Sequence, residues 1–286
     1  MSADSSRAIP NTLTIAGMDP SGGAGILADV KAMSALGAYA CAVVAALTAQ
    51  NTQAVTDISP VNPQFVRAQI DTLFADVEIH AAKIGMLGQT GVIEVVADRL
   101  GHHRPAHLVL DPVMVAKSGD LLLEQKAVGA LREQLLPLAT VITPNLDEAA
   151  LLLERSIQGV DDLSAAAHAL LAQGAQAVLL KGGHLVGDEV VDLLVQANGP
   201  SQRLASQRIA SRNVHGTGCT LSSAIAAHLA LGHGLSDAVR LARTFILGAI
   251  AQGAEVHTGQ GHGPLNHGFA PVPLHRITNP PSTVKT

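Results

Sequence analysis

Aromatic side chains make up only 2% of the 286 residues; tryptophan is absent, and there are one tyrosine and four phenylalanines. A core must therefore be assembled from close-packed Ala, Leu, Val and Ile, and flat platforms on which nucleobases stack are in short supply. Positive charge is scarce too: 18 Lys and Arg stand against 23 Asp and Glu, a formal net charge of −5. That balance lacks the basic footprint of a nucleic-acid binder, so no nucleic acid is expected as a partner. The two cysteines, Cys41 and Cys219, are too far apart for metal-ligand spacing and too few for a disulfide framework, which suits a reducing compartment. The most apolar stretches, such as 37–49, are too short to span a bilayer, and the opening M-S-A-D-S-S-R-A-I-P has no signal-like apolar segment. The expectation is a soluble cytoplasmic protein with no membrane partner.

What the chain does have is alternation. Short β-rich runs at 13–16, 39–47, 81–84, 108–110, 141–142 and 177–180 are separated by Ala/Leu-rich amphipathic stretches. These stretches predict helices over 26–36, closed by Gly37, and over 63–74, 92–100, 125–135, around Glu148, and over 163–173. Nearly continuous apolar strands between helices predict an α/β fold: a mostly parallel sheet covered by helices on both faces. The runs 188–196 and 203–209, joined by N-G-P-S, read as an antiparallel hairpin, and helices over 217–231 and 236–251 close the series. No linker or charge run divides it. The expected organisation is a flexible N-terminus (1–10), one domain (11–275) and a flexible tail (276–286).

Two glycine-rich segments follow strands and lead into helices, the place where ligands sit in a parallel sheet. The first, G-M-D-P-S-G-G-A-G (17–25), matches neither the P-loop nor the dinucleotide fingerprint, and its glycines alone read as a tight turn. On spacing, Asp29 in the following helix reads as a solvated residue. The second, N-V-H-G-T-G-C-T (213–220), is more telling. Its glycines expose backbone amides at a helix N-terminus, a cradle for phosphate or developing negative charge. Cys219 falls in that first turn, where the dipole would lower its pKa and make it a proton acceptor or nucleophile. Cys41, in an apolar strand, reads as a small packed residue.

Between these segments, T-P-N-L-D-E (143–148) sets Asn145 and Glu148 three apart at a helix start, facing one direction. The pair suits either an N-cap with an acidic first turn or a water-mediated Mg²⁺ shell. Asp111 in L-V-L-D-P-V-M is a second carboxylate at a strand end, and Lys181 ends another strand with an ammonium suited to a polyphosphate. Each is weak alone; their common position at strand carboxyl ends gives them weight.

Together these blocks resemble the ribokinase-like superfamily, and within it the hydroxymethylpyrimidine/phosphomethylpyrimidine kinases of thiamine biosynthesis. The resemblance rests on T-I-A-G-M-D-P-S-G-G-A-G-I-L-A-D (14–29), A-L-T-A-Q-N-T (46–52), K-I-G-M-L (83–87), L-D-P-V-M-V-A-K-S-G (110–119), T-P-N-L-D-E-A (143–149), L-K-G-G-H (180–184) and N-V-H-G-T-G-C-T (213–220), which run in the family's order. It implies a three-layer sandwich and ATP- and Mg²⁺-dependent phosphorylation of 4-amino-5-hydroxymethyl-2-methylpyrimidine, then of its monophosphate, in one site of a homodimer. It also implies that Gln50 hydrogen-bonds the pyrimidine, with Asp29, Gly17 and Met86 lining its pocket. Asp111 and Glu148 would fall in the Mg²⁺ region, and Asn145, Thr217 and Lys181 would touch ATP. Gly216 and Gly218 would form an anion hole with Cys219, which would take the substrate's hydroxyl proton. Many relatives carry Asp at the Cys219 position, and often Ser or Thr where Met18 stands.

A pyridoxal or pyridoxine kinase is the nearest alternative, because pyridoxal also carries a hydroxymethyl group on a nitrogen heterocycle. A non-catalytic pyrimidine sensor and a nicotinamide-dependent oxidoreductase are more distant ones; the latter lacks its glycine fingerprint. His257, His262 and His267 recur every five residues, but Gly and Pro among them and the lack of an acid favour a loop at the nucleotide's edge over a metal site.

Overall fold

A computed structural model describes residues 8–114, 125–157, 160–183 and 187–277. The end of the L-D-P-V-M-V-A-K-S-G block, His184 and the outer parts of both termini lie outside these. At the described ends, Ile277 donates its amide to the Ala8 carbonyl, and His275 to Gly37.

The chain opens with β1 (Asn11–Met18), α1 (Gly25–Ala35), β2 (Tyr39–Gln50), β3 (Val55–Pro60), α2 (Pro63–Phe74), β4 (Ala81–Ile84), α3 (Thr90–His103) and β5 (His107–Leu110). It continues through α4 (Gln125–Ala130), β6 (Val141–Ile142), α5 (Leu146–Leu153), α6 (Val160–Leu171), β7 (Ala177–Leu180), β8 (Glu189–Gln196), β9 (Gln202–Gln207), α7 (Thr217–Ala230) and α8 (Leu235–Gly253). The helix expected over 125–135 is α-helical only to Ala130. It passes into a π turn at Leu131–Leu135 and a 3₁₀ turn at Leu136–Leu138, because Pro137 has no amide to continue the ladder.

The strands form one sheet in the order β3-β2-β1-β4-β5-β6-β7-β8-β9. Pairing is parallel from β2 through β7 and antiparallel at both edges, where β3 joins β2, and β8 and β9 form the expected hairpin beside β7. The strand β3 was not foreseen. Its V-T-D-I-S-P is half polar and ends in proline, a pattern only an edge strand tolerates.

The two-residue period of the strands divides the core. Leu13 and Ile15, Ala82 and Ile84, Leu108 and Leu110, and Val178 and Leu180 pack on one face with residues of α2, α3, α5 and α6. Ala81, Val109, Val141, Ala177 and Leu179 face the other way, against α1, α7 and α8. That second layer is rich in alanine, and α7 is buried on every side from Thr220 to Ala230. Small side chains let it lie against the sheet with α1 and α8 on either side. The same period puts Lys83, inside β4, and Asp111, Thr143 and Lys181, each one residue past its strand, on the α7 face. All four polar groups thus come to one carboxyl edge.

Candidate active site

The neighbours of β1 lie on opposite sides, β2 on one and β4 on the other, so the chain reverses direction across the sheet there. A crevice opens at the carboxyl ends of the strands at such a point. Here it is a cavity of about 860 Å³ whose wall includes Gly17, Gln50, Met86, Asp111, Lys181 and Cys219. Val214, Ile246, Leu247 and Ile250 supply an apolar portion.

Two helix N-termini meet beside it. Gly216, the N-cap of α7, has φ +80°, and a Cβ there would stand 1.8 Å from the Gly23 carbonyl oxygen, so only glycine permits this approach. Gly25 opens α1 at φ +55°, and its amide is directed at the Cys219 sulfur. In the first turn of α7, Thr217 donates its amide to Val214 and Thr220 to Gly216, while the amides of Gly218 and Cys219 have no intrahelical acceptor and can meet an anion. Cys219 is partly open to the cavity.

The expectation of a lowered thiol pKa is not what this setting produces. Burial pushes the Cys219 thiol up to about 11; the Lys83 charge and the Gly25 amide pull it down, while Asp29 and Asp111 push it further up. Desolvation of the thiolate therefore outweighs the helix N-terminus.

Lys181 and Asp111 form an ion pair at 3.1 Å, with Glu148 3.9 Å from the same ammonium. Thr143 donates to Asp111 Oδ1 at 3.0 Å and Ser222, one turn along α7, to Oδ2 at 3.2 Å. Burial favours the neutral form of Asp111, but the Lys181 and Lys83 charges and the Lys181 and Thr143 bonds hold its carboxyl below the usual range. Glu148 goes the other way, pushed up to about 7 by burial and by Asp111, with Lys181 opposing. Asn145 and Glu148 both reach the cavity wall, and they also form a complete capping box. Asn145 Oδ1 accepts from the Glu148 amide at 2.9 Å and Glu148 Oε2 from the Asn145 amide at 2.7 Å. The N-cap reading of this pair is thus realised. Thr217 lines the cavity at the start of α7.

Asp29 is neither solvated, as its spacing suggested, nor part of the cavity wall. It is fully buried, with Oδ2 accepting from Thr14 at 2.6 Å and Oδ1 from Ser223 at 2.7 Å, and Lys83 bridging both oxygens at 2.9 and 3.0 Å. The face of α1 that carries it packs on the sheet, and Lys83 supplies the counter-charge there.

Gly17 and Met86 adjoin: a Cβ on Gly17 would meet the Met86 sulfur at 2.7 Å. Gln50 lies 3.4 Å from His215 Nε2 and 3.0 Å from Thr48 Oγ1. His215 in turn bonds Asp19 at 2.8 Å, and Asp19 accepts from Ser21 and the Ala24 amide, fixing the loop before α1. Burial works to raise the Asp19 carboxyl, but the His215 and Ser21 bonds hold it below the usual range. Asp19, Lys83, His215, Ser222 and Ser223 received no role from the sequence. For Lys83 a signal existed: a lone charge inside the four-residue buried strand A-A-K-I. Of the three spaced histidines, His267 is buried and bonds Thr220 at 2.8 Å, whereas His257 and His262 are exposed. No group of three or more His, Cys, Asp or Glu able to hold a metal occurs among the described residues, and none of their helices is long and apolar enough to cross a membrane.

Known proteins resemble this chain in sequence and fold. A family model described as phosphomethylpyrimidine kinase matches residues 19–266. A hydroxymethylpyrimidine/phosphomethylpyrimidine kinase of Salmonella typhimurium is 48% identical over 258 residues, covering 90% of this chain and 97% of the relative. Among solved structures, an ADP complex of Bacillus subtilis pyridoxal kinase superposes with a TM-score of 0.84 at 37% identity, covering 91% of this chain and 98% of that one. A phosphomethylpyrimidine kinase from Clostridium difficile 630 gives 0.75 at 42% identity, with coverages of 84% and 99%.

Proposed function

The chain belongs to the phosphomethylpyrimidine kinase family, and from that premise we propose that it transfers the terminal phosphoryl group of ATP to the hydroxymethyl oxygen of 4-amino-5-hydroxymethyl-2-methylpyrimidine, and then to the monophosphate so formed. The observation that carries the chemistry is the Cys219 sulfur at the cavity wall, in the first turn of α7 and near Lys181.

Phosphoryl transfer passes through a loose transition state, so orientation and charge neutralisation matter more than covalent chemistry. The amides of Gly218 and Cys219 and the ammonium of Lys181 meet the charge of the transferring group. In the first transfer the substrate's oxygen bonds to phosphorus as the bond to ADP breaks, and the hydroxyl hydrogen passes to the Cys219 thiolate; the thiol so formed returns it to solvent before the next turnover. Gln50, carrying both a donor and an acceptor, complements an aminopyrimidine edge, with Gly17 and Met86 beside the ring.

Mg²⁺ binds with one or two carboxylates plus phosphate oxygens and water, and the donor set here fits that pattern rather than an all-protein cage. Both Asp111 oxygens already accept bonds, so Glu148 is the carboxylate we assign to the ion, directly or through water. When bound, the ion neutralises phosphate charge; Asp111 instead holds Lys181 in place. A homodimer and a single domain over 11–275 are part of the same reading.

The likeness to a pyridoxal kinase favours pyridoxal as a second substrate class. Product analysis with Mg-ATP and each of hydroxymethylpyrimidine, its monophosphate and pyridoxal tests the assignment. Diphosphate formation from the pyrimidine is expected, and much faster turnover of pyridoxal would overturn it. Cys219→Ala is expected to slow the first transfer at least about a hundredfold, the size of a lost general base, with the fold intact.

A further inference from the structure

The buried ammonium of Lys83 has no part in the chemistry so far. It sits in β4, between Thr14 of β1 and Val109 of β5 in register, wholly out of solvent, on the face packed by α1 and α7. Placing a charge there is expensive unless it is paired and hydrogen-bonded, and a core of this composition would accept an aliphatic side chain at the same point.

Its surroundings repeat a pattern. On one side of the α7 start, a lysine from the sheet (Lys181) pairs with a carboxylate (Asp111) that is bonded to a serine of α7 (Ser222). On the other side, Lys83 pairs with Asp29, which is bonded to Ser223, the next residue of α7. Ser223 lies one turn beyond Cys219, on the same side of the helix. The second bridge thus lies directly behind the sulfur.

We propose that Lys83 is a positioning residue for the phosphoryl transfer: held by Asp29 behind the first turn of α7, its positive charge makes the Cys219 sulfur able to give up and retake a hydrogen. The proposal rests on Cys219 being the proton acceptor. The charged groups acting on that sulfur are Lys83 from β4, Asp29 from α1, Asp111 after β5 and Lys181 after β7. Among them Lys83 exerts the strongest pull toward the thiolate, and the charge of Asp29 acts against it. Burial lowers the Lys83 ammonium's own pKa, but Asp29 and the other nearby negative groups raise it above the usual lysine value, so it stays charged.

Two single variants separate this from a packing role, because the charges of the pair have opposite signs. The rate at which iodoacetamide labels Cys219 is followed against pH by mass spectrometry of its peptide, which excludes Cys41. Lys83→Met should slow labelling at pH 8 at least threefold and move the thiol's titration upward. Asp29→Asn, which leaves Lys83 without its counter-charge, should speed labelling at least threefold and move the titration downward. Changes of the same direction in both variants, or no change in either, overturn the proposal. Should Lys83→Met alone fail to fold, the double variant Lys83→Met/Asp29→Asn replaces the ion pair by neutral groups. It should label more slowly than Asp29→Asn, and equal rates overturn the proposal. Labelling requires no turnover, so it is independent of the acceptor reading, which fails separately if Cys219→Ala retains full first-step activity.

Discussion

Raising the pH questions Cys219 most directly. With the thiol pushed up to about 11, the thiolate is a small minority in the unliganded enzyme at neutral pH. At pH 7.5 that fraction is roughly 3 in 10⁴, and it grows about tenfold with each pH unit below the pKa. Because kcat/KM reports the ionisations of the free enzyme, kcat/KM for hydroxymethylpyrimidine should rise about 100-fold between pH 7.5 and 9.5 without a plateau. Glu148, at about 7, puts its bend at or below the lower end of this window. Cys219→Asp supplies the control. Its carboxylate is ionised throughout, so its profile should be flat over the same range while Cys219→Ala stays low everywhere. Initial rates of ADP release at subsaturating pyrimidine, with circular dichroism at each pH to verify the fold, are sufficient. A wild-type plateau beginning below pH 8.5 would refute the account of the thiol's burial, and the same slope in Cys219→Asp would show that another group is titrating.

The two transfers should differ in their need for the sulfur. An alcohol must lose a hydrogen to become a phosphate ester, whereas a monophosphate, with a second pKa near about 6, presents an ionised oxygen at neutral pH. Cys219→Ala should therefore slow conversion of the pyrimidine to its monophosphate far more than conversion of the monophosphate to the diphosphate; equal losses in single-substrate assays would remove the sulfur as proton acceptor. Gln50→Ala should raise KM for the pyrimidine with nucleotide affinity unchanged, and an unaltered pyrimidine KM would end that assignment. Glu148 is linked to folding. Its folded carboxyl lies at about 7 against an ordinary 4.5, so its contribution is fully present below pH 4.5 and is lost as pH rises to about 7. The loss is about 3 kcal/mol, at 1.36 kcal/mol per pKa unit. Glu148→Gln, which can still close the capping box, should flatten that slope in urea unfolding between pH 5 and 8; parallel losses in variant and wild type would contradict it.

Elements buried in a regular pattern could be read from the sequence, and those defined by their neighbours could not. The helix at Pro63–Phe74 carries its own start signal, Asn62 before Pro63, with the Asn62 side chain capping Gln64 as such a sequence implies. The four-residue strand at Ala177–Leu180 was visible as an apolar run, and that at Ala81–Ile84 as one interrupted only by Lys83. By contrast β3 owes its existence to the free edge of β2, and nothing in V-T-D-I-S-P announces that edge. The same division runs through the site. Gly17, Gln50, Met86, Lys181 and the Gly216 to Cys219 turn sit in motifs whose position at strand and helix ends is local information, and all reach the cavity. The placement of Asp29 depends on Lys83, 54 residues away, and that of His215 on Asp19, 196 residues away; such pairs have no local signature. The thiol's ionisation was misjudged for the same reason, since a helix N-terminus is visible in sequence and the burial of its first turn is not.

That burial also bears on how a thiol at this position differs from a carboxylate. Asp29, Asp111 and Glu148 already place three acidic side chains around the start of α7, against the ammonium groups of Lys83 and Lys181. A carboxylate at position 219 would be ionised before nucleotide arrives and would face the terminal phosphate with like charge at short range, where a low dielectric makes repulsion strong. A thiol held neutral by burial presents no charge to the arriving phosphate, and only its minority thiolate takes the hydroxyl hydrogen, which costs activity at neutral pH but leaves the phosphate cradle unopposed. Cys219→Asp should therefore bind Mg-ATP more weakly than wild type, with a KM for ATP at least about fivefold higher (about 1 kcal/mol), while its pyrimidine KM is unchanged. Measured at pH 7.5, where the wild-type sulfur is protonated, an unchanged or lower KM for ATP in Cys219→Asp would show that charge at this position does not reach the nucleotide, and the neutral-thiol argument would fail.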